Sequence, residues 1–213
     1  MGETTRYGGG RHSGTGYLAP SQPVGPCVLV LHEFFGMTPS FTRLADRLSA
    51  ARFTALVPDL YEGAIAAGVD EARALAGSLD GERTLTILAE AVEHMRTNWH
   101  PRVGIIGFSL GAMLAVEVAQ RTEVDAVVAY YGLSEADAAS WDIPLLVHAA
   151  ESDEWEPVAE LRAAATALPG AELHVYPGTG HWFANEDVAD AFAPDAAALA
   201  LDRTVGFLTH HLS

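Results

Sequence analysis

The sequence predicts an α/β fold in which a mostly parallel, doubly wound sheet is flanked by helices, in a single domain over residues 1–213. Short apolar runs alternate along the chain with longer amphipathic segments, which is the order that βαβ units produce. The apolar runs are mostly continuous, as expected of parallel strands that are buried on both faces. A chain of 213 residues also fits one domain that can bury a full core.

Six apolar runs are predicted to be the strands of this sheet. The region before them, residues 1 to about 25, is rich in Gly, Ser, Thr and Pro. We therefore predict only a short strand at residues 16–19 and a flexible segment over residues 1–15. The six strands are Cys27–Leu31, Thr54–Val57, Val103–Ile106, Ala126–Tyr130, Pro144–His148 and Glu172–Tyr176.

Four amphipathic segments predict helices that cover the sheet. Thr38 and Pro39 form a cap followed by a proline at the first helical position, and Pro169 and Gly170 stop the third helix. Ligands of such sheets bind beyond the carboxyl ends of the strands, so catalytic residues are expected there. The apolar stripes are Phe41, Leu44, Ala45 and Leu48; Leu85, Leu88, Val92 and Met95; Val158, Leu161 and Leu168; and Leu201, Val205, Leu208 and Leu212.

Composition and charge exclude several classes of partner. The formal net charge of −16 opposes binding to nucleic acid or to an anionic membrane surface, and no apolar stretch approaches the roughly 18 residues of a membrane span. The single cysteine, Cys27, cannot form an internal disulfide and is predicted to be a core residue. The N-terminus lacks an apolar signal segment, so a cytoplasmic location is expected. No cofactor is expected, and no histidines and carboxylates pair at metal-ligand spacing.

The sequence around Ser109 has the pattern of a nucleophile elbow. The strand Val103–Ile106 runs into G-F-S-L-G at residues 107–111, and an apolar helical segment follows directly. The pentapeptide alone is a weak signal, but this strand–turn–helix context is the one that the motif requires in α/β-hydrolases. We therefore predict the α/β-hydrolase fold with Ser109 as the nucleophile. The alternative is a glycine-cushioned turn in which Ser109 is only an N-cap.

A serine nucleophile needs a base and an acid that orients it, and in this fold the order along the chain is Ser, Asp or Glu, His. Asp153 follows an apolar strand, and His181 lies in a glycine-rich loop after the last strand. Glu151 and Glu154 are alternative acids, but Glu151 belongs to the end of the strand and Glu154 lies closer to the start of the next helix. The other histidines lie at or within strands, at the end of the last helix or before the elbow: His32, His148 and His174; His210 and His211; His12, His94 and His100.

Five motifs in this order and spacing resemble the dienelactone hydrolase family over about residues 16 to 212. They are L-H-E-F-F-G at 31–36, V-P-D-L-Y at 57–61, the elbow, S-D-E-W-E-P at 152–157 and G-T-G-H-W-F at 178–183. The resemblance implies a catalytic triad of Ser109, Asp153 and His181. It also implies an oxyanion hole made by the backbone N–H groups of Phe34 and Leu110.

The resemblance further implies that the Glu33 carboxylate lies beside the nucleophile; the alternative is a loop carboxylate bonded to a neighbouring backbone group or arginine. Many family members carry cysteine at the elbow, so activation by a nearby glutamate need not operate on Ser109, which must rely on His181. The family's dienelactone-cleaving members hold the substrate carboxylate with two arginines. Asn185 stands at one of these positions, and Arg73, the nearest candidate for the other, is out of register.

The predicted function is a serine hydrolase that cleaves a carboxylic ester or lactone of small size through an acyl-enzyme intermediate. An aromatic cleft would favour an uncharged, apolar acyl or alcohol group, although each ring could equally be ordinary packing. The alternatives are a thioesterase or acyl-protein esterase, which share the elbow, and a non-catalytic binding module on the same fold. The sequence predicts neither the identity of the substrate nor the oligomeric state. The expected cleft residues are Phe35, Tyr61, Trp155, Trp182 and Asn185.

Overall fold

The computed structural model describes residues 1–9 and 12–213, and within these ranges it contains one eight-stranded sheet with helices on both faces. The predicted α/β-hydrolase fold is confirmed. The strands are β1 (Glu3–Gly9), β2 (His12–Ala19), β3 (Cys27–Leu31), β4 (Thr54–Pro58), β5 (Val103–Phe108), β6 (Ala126–Tyr130), β7 (Leu145–Ala150) and β8 (Glu172–Tyr176). The helices are α1 (Pro39–Ala50), α2 (Val69–Gly77), α3 (Gly81–Asn98), α4 (Leu110–Ala119), α5 (Val158–Ala167) and α6 (Pro194–His211).

The strand order brings the loops of interest to one edge of the sheet. The order is β1-β2-β4-β3-β5-β6-β7-β8, and the strands from β3 to β8 are all parallel. Parallel strands have their carboxyl ends at the same edge. The loops that follow β3, β5, β6, β7 and β8 therefore converge there.

Two apolar layers hold the helices on the sheet. On one face α3 and α4 pack against the strands, with Leu88 and Met95 fully buried; on the other face α1 and α6 do so, with Leu48 and Leu208 fully buried. Cys27 is also fully buried, as predicted. Within the described ranges, no helix has both the length and the apolar character that crossing a membrane demands.

The last helix contacts the sheet through part of the predicted stripe, Leu208 and Leu212, and through smaller residues beside it. Leu201 and Val205 are only half-buried, whereas Ala200, Thr204 and Phe207 are buried against the sheet. The small side chains at 200 and 204 allow α6 to approach closely, so the stripe of larger residues marks only one flank of the contact.

The N-terminal region departs from the prediction. Instead of a flexible segment over residues 1–15, β1 and β2 form an antiparallel pair, and β2 pairs with β4. Gly10 and Arg11 lie outside the described residues. Pairing with β4 supplies backbone hydrogen bonds that a polar, glycine-rich composition does not reveal, and the Tyr7 ring is 2% exposed beneath the pair. The helix α2 was also not predicted.

The start of α1 is capped by a carboxylate from a distant loop. The Thr38 hydroxyl makes no capping bond, and the Ser40 N–H donates instead to Asp187 Oδ2 at 2.7 Å. Arg43 on the same helix donates to Asp187 Oδ1 at 2.8 Å. Because residue 187 follows β8, these bonds fix the loop after β8 against α1.

Candidate active site

Ser109 lies in a strained turn between β5 and α4. Its φ of 50° and ψ of −114° are unusual for a residue other than glycine. A Cβ atom at Gly107 would lie 2.1 Å from the Gly111 carbonyl oxygen, and one at Gly111 would lie 2.2 Å from the Leu31 carbonyl oxygen. Both positions therefore require glycine, which is the reason for the G-x-S-x-G spacing. The turn leaves the serine half-buried at the carboxyl edge of the sheet.

The structure brings the three predicted triad residues into one hydrogen-bonded chain. His181 Nε2 lies 2.9 Å from Ser109 Oγ, and His181 Nδ1 lies 2.7 Å from Asp153 Oδ2. The His181 side chain is 4% exposed and the Asp153 side chain is fully covered. A hydroxyl, an imidazole and a carboxylate in this arrangement can move a proton from the serine to the histidine.

The hydrogen bonds of Asp153 favour this residue, rather than the neighbouring glutamates, as the acid. Asp153 Oδ1 accepts hydrogen bonds from the backbone N–H groups of Trp155 at 2.9 Å and Glu156 at 3.0 Å. Burial alone would raise the pKa of Asp153, but the hydrogen bond from His181 and these two N–H groups outweigh it and lower the pKa. Glu151 is exposed and accepts from the Gly178 N–H, and Glu154 is exposed.

Two other buried histidines have structural partners. His148 contacts the Thr204 hydroxyl at 3.0 Å through Nε2 and the Tyr176 hydroxyl at 2.8 Å through Nδ1. His32 Nε2 accepts from the Leu60 N–H at 3.2 Å, and its Nδ1 lies 2.7 Å from the carbonyl oxygen of the next residue. Burial lowers the pKa of His32 to about 4, so this ring is neutral and joins the loop after β3 to the segment after β4.

Two backbone N–H groups at the carboxyl edge of the sheet are left out of the hydrogen bonds of their own helix or turn. Leu110 is the first residue of α4, where an N–H has no partner within the helix. Phe34 is a central residue of a turn closed by the Gly36 N–H and the Glu33 carbonyl at 3.1 Å, which leaves the Phe34 N–H outside the turn's hydrogen bond. These are the two groups that the sequence predicts as the oxyanion hole.

Glu33 is bonded away from the nucleophile. The residue is fully buried, and its carboxyl oxygens accept from Asn185 Nδ2 at 2.6 Å and from the Tyr131 hydroxyl at 3.2 Å. Burial raises the pKa of Glu33 to about 8, although both hydrogen bonds act to lower it. Neither of these bonds involves Ser109, and the expectation that the Glu33 carboxylate lies beside the nucleophile stays a prediction.

Two of the expected cleft residues are buried beneath the site. Asn185 is 2% exposed; its amide donates to Glu33 and accepts from the Asp187 N–H at 2.8 Å. Tyr61 is 8% exposed and packs its ring edge-on against His32 at 5.1 Å. Neither side chain is exposed at the surface, and their place in the substrate cleft stays a prediction.

The remaining aromatic residues form a cluster above the histidine. The rings of Phe34 and Trp182 are stacked at 5.8 Å, and Trp155 lies 5.6 Å from the first and 5.5 Å from the second. Phe35 joins the cluster at 4.7 Å from Phe34. The Trp182 ring is 4.9 Å from the His181 ring. Trp155 is 43% exposed, so the cluster offers an apolar surface at the entrance to the triad.

A cation lies at the rim of this cluster. Arg73, on α2, places its guanidinium 6.0 Å from the centre of the Trp155 ring, within cation–π range. Its side chain is 65% exposed and makes a loose ion pair with Asp70 at 3.6 Å. The unpredicted helix α2 therefore carries Arg73 to the rim of this cluster.

One site residue was missed by the sequence analysis. Tyr131 packs its ring 4.8 Å from the His181 ring and donates its hydroxyl to Glu33, with a φ of 38°. A Cβ on the next residue, Gly132, would lie 2.7 Å from the Ser109 carbonyl oxygen. The sequence signal that could have identified Tyr131 is its position directly after β6, at the same sheet edge as the loops of Ser109, Asp153 and His181. Among the described residues, no group of three or more His, Cys, Asp or Glu side chains is placed to hold a metal ion.

The chain resembles proteins of one family along almost its whole length. The sequence model of the dienelactone hydrolase family matches residues 15–212. A carboxymethylenebutenolidase of a Pseudomonas species is 32% identical over 220 residues, which cover 94% of this chain and 91% of that protein. Carboxymethylenebutenolidase 1 of Cupriavidus pinatubonensis is 29% identical over 225 residues, which cover 97% and 94%. The crystal structure of a dienelactone hydrolase from Anabaena variabilis has the same fold, with a TM-score of 0.79 at 20% identity over 100% of this chain and 99% of that one.

Proposed function

The chain belongs to the dienelactone hydrolase family and is a hydrolase of ester or lactone bonds, and we propose that it cleaves its substrate through an acyl-enzyme intermediate on Ser109. The observation that carries the proposal is the chain of contacts from Ser109 Oγ to His181 at 2.9 Å and from His181 to Asp153 at 2.7 Å. Acyl transfer needs a nucleophile within reach of its base and a base held by a third group.

In this mechanism His181 Nε2 takes the hydroxyl proton as Ser109 Oγ attacks the substrate carbonyl carbon. The carbonyl oxygen becomes an oxyanion and is stabilised by the N–H groups of Phe34 and Leu110. The intermediate collapses, the carbonyl re-forms, and the leaving alcohol takes the proton from His181. A water molecule then repeats the sequence on the acyl-enzyme, releasing the acid and restoring the serine. Asp153 holds the imidazole orientation throughout.

The test of this function is a substrate panel of p-nitrophenyl esters of increasing acyl length, measured beside lactones and acyl thioesters. We expect turnover of an oxygen ester or lactone, and an acyl adduct on the peptide that carries Ser109 after acid quenching. Faster turnover of thioesters would favour the thioesterase alternative. Binding of these compounds without turnover would favour a non-catalytic module.

The surroundings of the triad support a mainly apolar acyl or alcohol group. The aromatic cluster of Phe34, Phe35, Trp155 and Trp182 faces the entrance, and Asn185 is committed to Glu33. A carboxylate that leaves water without a paired cation loses hydration that nothing replaces. Neutral short-chain esters are therefore preferred to matched esters that carry a carboxylate.

Arg73 should reduce the preference for neutral esters over esters that carry a carboxylate. We expect Arg73→Ala to lower kcat/KM for an anionic ester about two- to fivefold and to leave kcat/KM for a neutral ester of equal size unchanged, since an exposed ion pair contributes little. The matched control is Arg121→Ala, which removes the same charge beyond the far end of α4, where Arg121 pairs with Glu82 at 2.8 Å. Equal losses in both variants would mean that only the net charge matters.

A further inference from the structure

The Glu33 carboxyl group lies where three loops at the catalytic edge meet. Glu33 belongs to the loop after β3, and its two carboxyl oxygens accept from Asn185 Nδ2 at 2.6 Å and the Tyr131 hydroxyl at 3.2 Å. Asn185 belongs to the loop after β8, and Tyr131 follows β6 directly. Both partners are neutral, so within the described ranges this fully buried carboxyl group has no cation bonded to it.

Each residue of this trio adjoins a group of the proposed catalytic site. Glu33 directly precedes Phe34, whose N–H is the oxyanion donor. Asn185 lies four residues after His181 in the same loop. Tyr131 packs against the His181 ring at 4.8 Å, and its backbone N–H donates to the His148 carbonyl at 2.8 Å, which ties it to β7. A shift of any of the three would move the donor relative to the base.

We propose that Glu33 is a positioning residue whose carboxyl group ties the oxyanion loop to the loops of His181 and Tyr131 by accepting hydrogen bonds from both, and that it is not the base that activates Ser109. This inference rests on the proposed function. It differs from direct activation because the carboxyl group would act through hydrogen bonds to Asn185 and Tyr131, without receiving a proton from the serine.

Burial raises the pKa of Glu33, the hydrogen bonds from Asn185 and Tyr131 lower it, and the nearby Asp187 raises it. From the loop after β8, Asp187 adds a negative charge that raises the pKa of Glu33, and Arg43 is paired with that same aspartate. From the loop after β6, Tyr131 is a neutral phenol, because burial raises its pKa well above the ordinary value. His32, which directly precedes Glu33 in the loop after β3, is neutral. His181 lies beyond Tyr131. With burial as the largest cause, the pKa of Glu33 is raised to about 8.

The first test compares Glu33→Gln with Glu33→Ala. Glutamine can accept from Asn185 and donate to the Tyr131 hydroxyl, so we expect kcat within about threefold of the wild type. Alanine removes both contacts, and we expect kcat to fall about 100-fold with KM little changed, since a small misplacement of the reacting groups has an effect of this size. A loss in Glu33→Gln as large as in Glu33→Ala would overturn the inference.

A second variant keeps the inference testable if Glu33→Ala does not fold. Tyr131→Phe removes the hydroxyl and leaves the ring on His181, and we expect kcat to fall roughly three- to tenfold. The matched control is Tyr130→Phe, which removes a buried hydroxyl bonded to Thr204 at 2.7 Å one residue earlier. We expect the control to lower the melting temperature and not kcat. Equal kcat values for Tyr131→Phe and the wild type would contradict a positioning role.

The pH dependence of stability gives a readout that does not depend on catalysis. The folded protein keeps the Glu33 proton between the ordinary pKa of 4.5 and about 8, whereas the unfolded chain releases it near 4.5. The stability of the wild type relative to Glu33→Gln is therefore greatest below pH 4.5 and declines as the pH rises toward 8. We expect the difference in melting temperature to change steadily over this range. A constant difference would mean that Glu33 is ionised and able to accept a proton at neutral pH, which would overturn the inference even if the esterase proposal holds. If the stability follows the expected trend but the protein hydrolyses no ester, only the esterase proposal is refuted.

Discussion

Ser109→Ala is expected to lower kcat by about 10⁴–10⁶ while leaving the fold intact. The strained turn presents one hydroxyl to His181 Nε2, at 2.9 Å, and alanine removes it without adding volume. The oxyanion donors and the binding surface would remain, so a residual rate above that of water is expected. The loss should fall on kcat rather than KM, because the missing interaction is covalent and forms only after binding.

A fluorophosphonate probe separates this expectation from a general loss of structure. The wild type should be labelled on the peptide that contains Ser109, and the alanine variant should not be labelled. Ser134→Ala is the matched control: it is also a half-buried serine, but its hydroxyl donates to the Met113 carbonyl at 3.1 Å. The control should be labelled like the wild type. Undiminished labelling of Ser109→Ala would show that another residue is the nucleophile.

The central strands could be predicted from the sequence because a strand buried on both faces appears as a continuous apolar run. Cys27–Leu31 and Ala126–Tyr130 have the bounds that their apolar runs predict. A parallel strand covered on both faces must be apolar throughout, so its ends coincide with the first polar residues. The strand β1 and the first half of β2 could not be found this way. They contain Gly, Thr and Ser; β1 is held by pairing with β2, and β2 is held by pairing with β4, a contact that is distant in sequence.

The same difference between local patterns and contacts that are distant in sequence separates the predicted triad from the residues that surround it. Chain order and position after a strand suffice to nominate Ser109, Asp153 and His181, because the sheet itself delivers these loops to one edge. The direction of a loop side chain depends instead on remote partners. Glu33 turns toward Asn185 and Tyr131, 152 and 98 residues away. Arg73 reaches Trp155 through α2, a nine-residue helix that buries Ala72 against the rest of the protein and was not predicted. Neither contact is encoded in a local motif.

The second large effect is expected for Asp153→Asn, on the order of 10⁴ in kcat. The reason lies in the two backbone N–H groups of Trp155 and Glu156, which donate to Oδ1. They require an acceptor at that position, so the asparagine carbonyl oxygen would occupy it. The amide NH₂ would then take the position of Oδ2 and face His181 Nδ1. A donor there forces the histidine proton onto Nε2, and the imidazole can no longer accept the proton of Ser109.

This reasoning makes the result specific to position 153. Asp153→Asn should retain fluorophosphonate labelling only at a much reduced rate, with an unchanged melting profile. Glu151→Gln and Glu154→Gln serve as controls, since both carboxylates are exposed and Glu151 accepts from the Gly178 N–H at 2.9 Å. Each control should keep kcat within about twofold, because surface changes away from the site have small effects. If either control proves more damaging than Asp153→Asn, the acid of the triad is the neighbouring glutamate. The lowered pKa of Asp153 adds that the wild-type carboxylate stays ionised as the pH falls below neutrality.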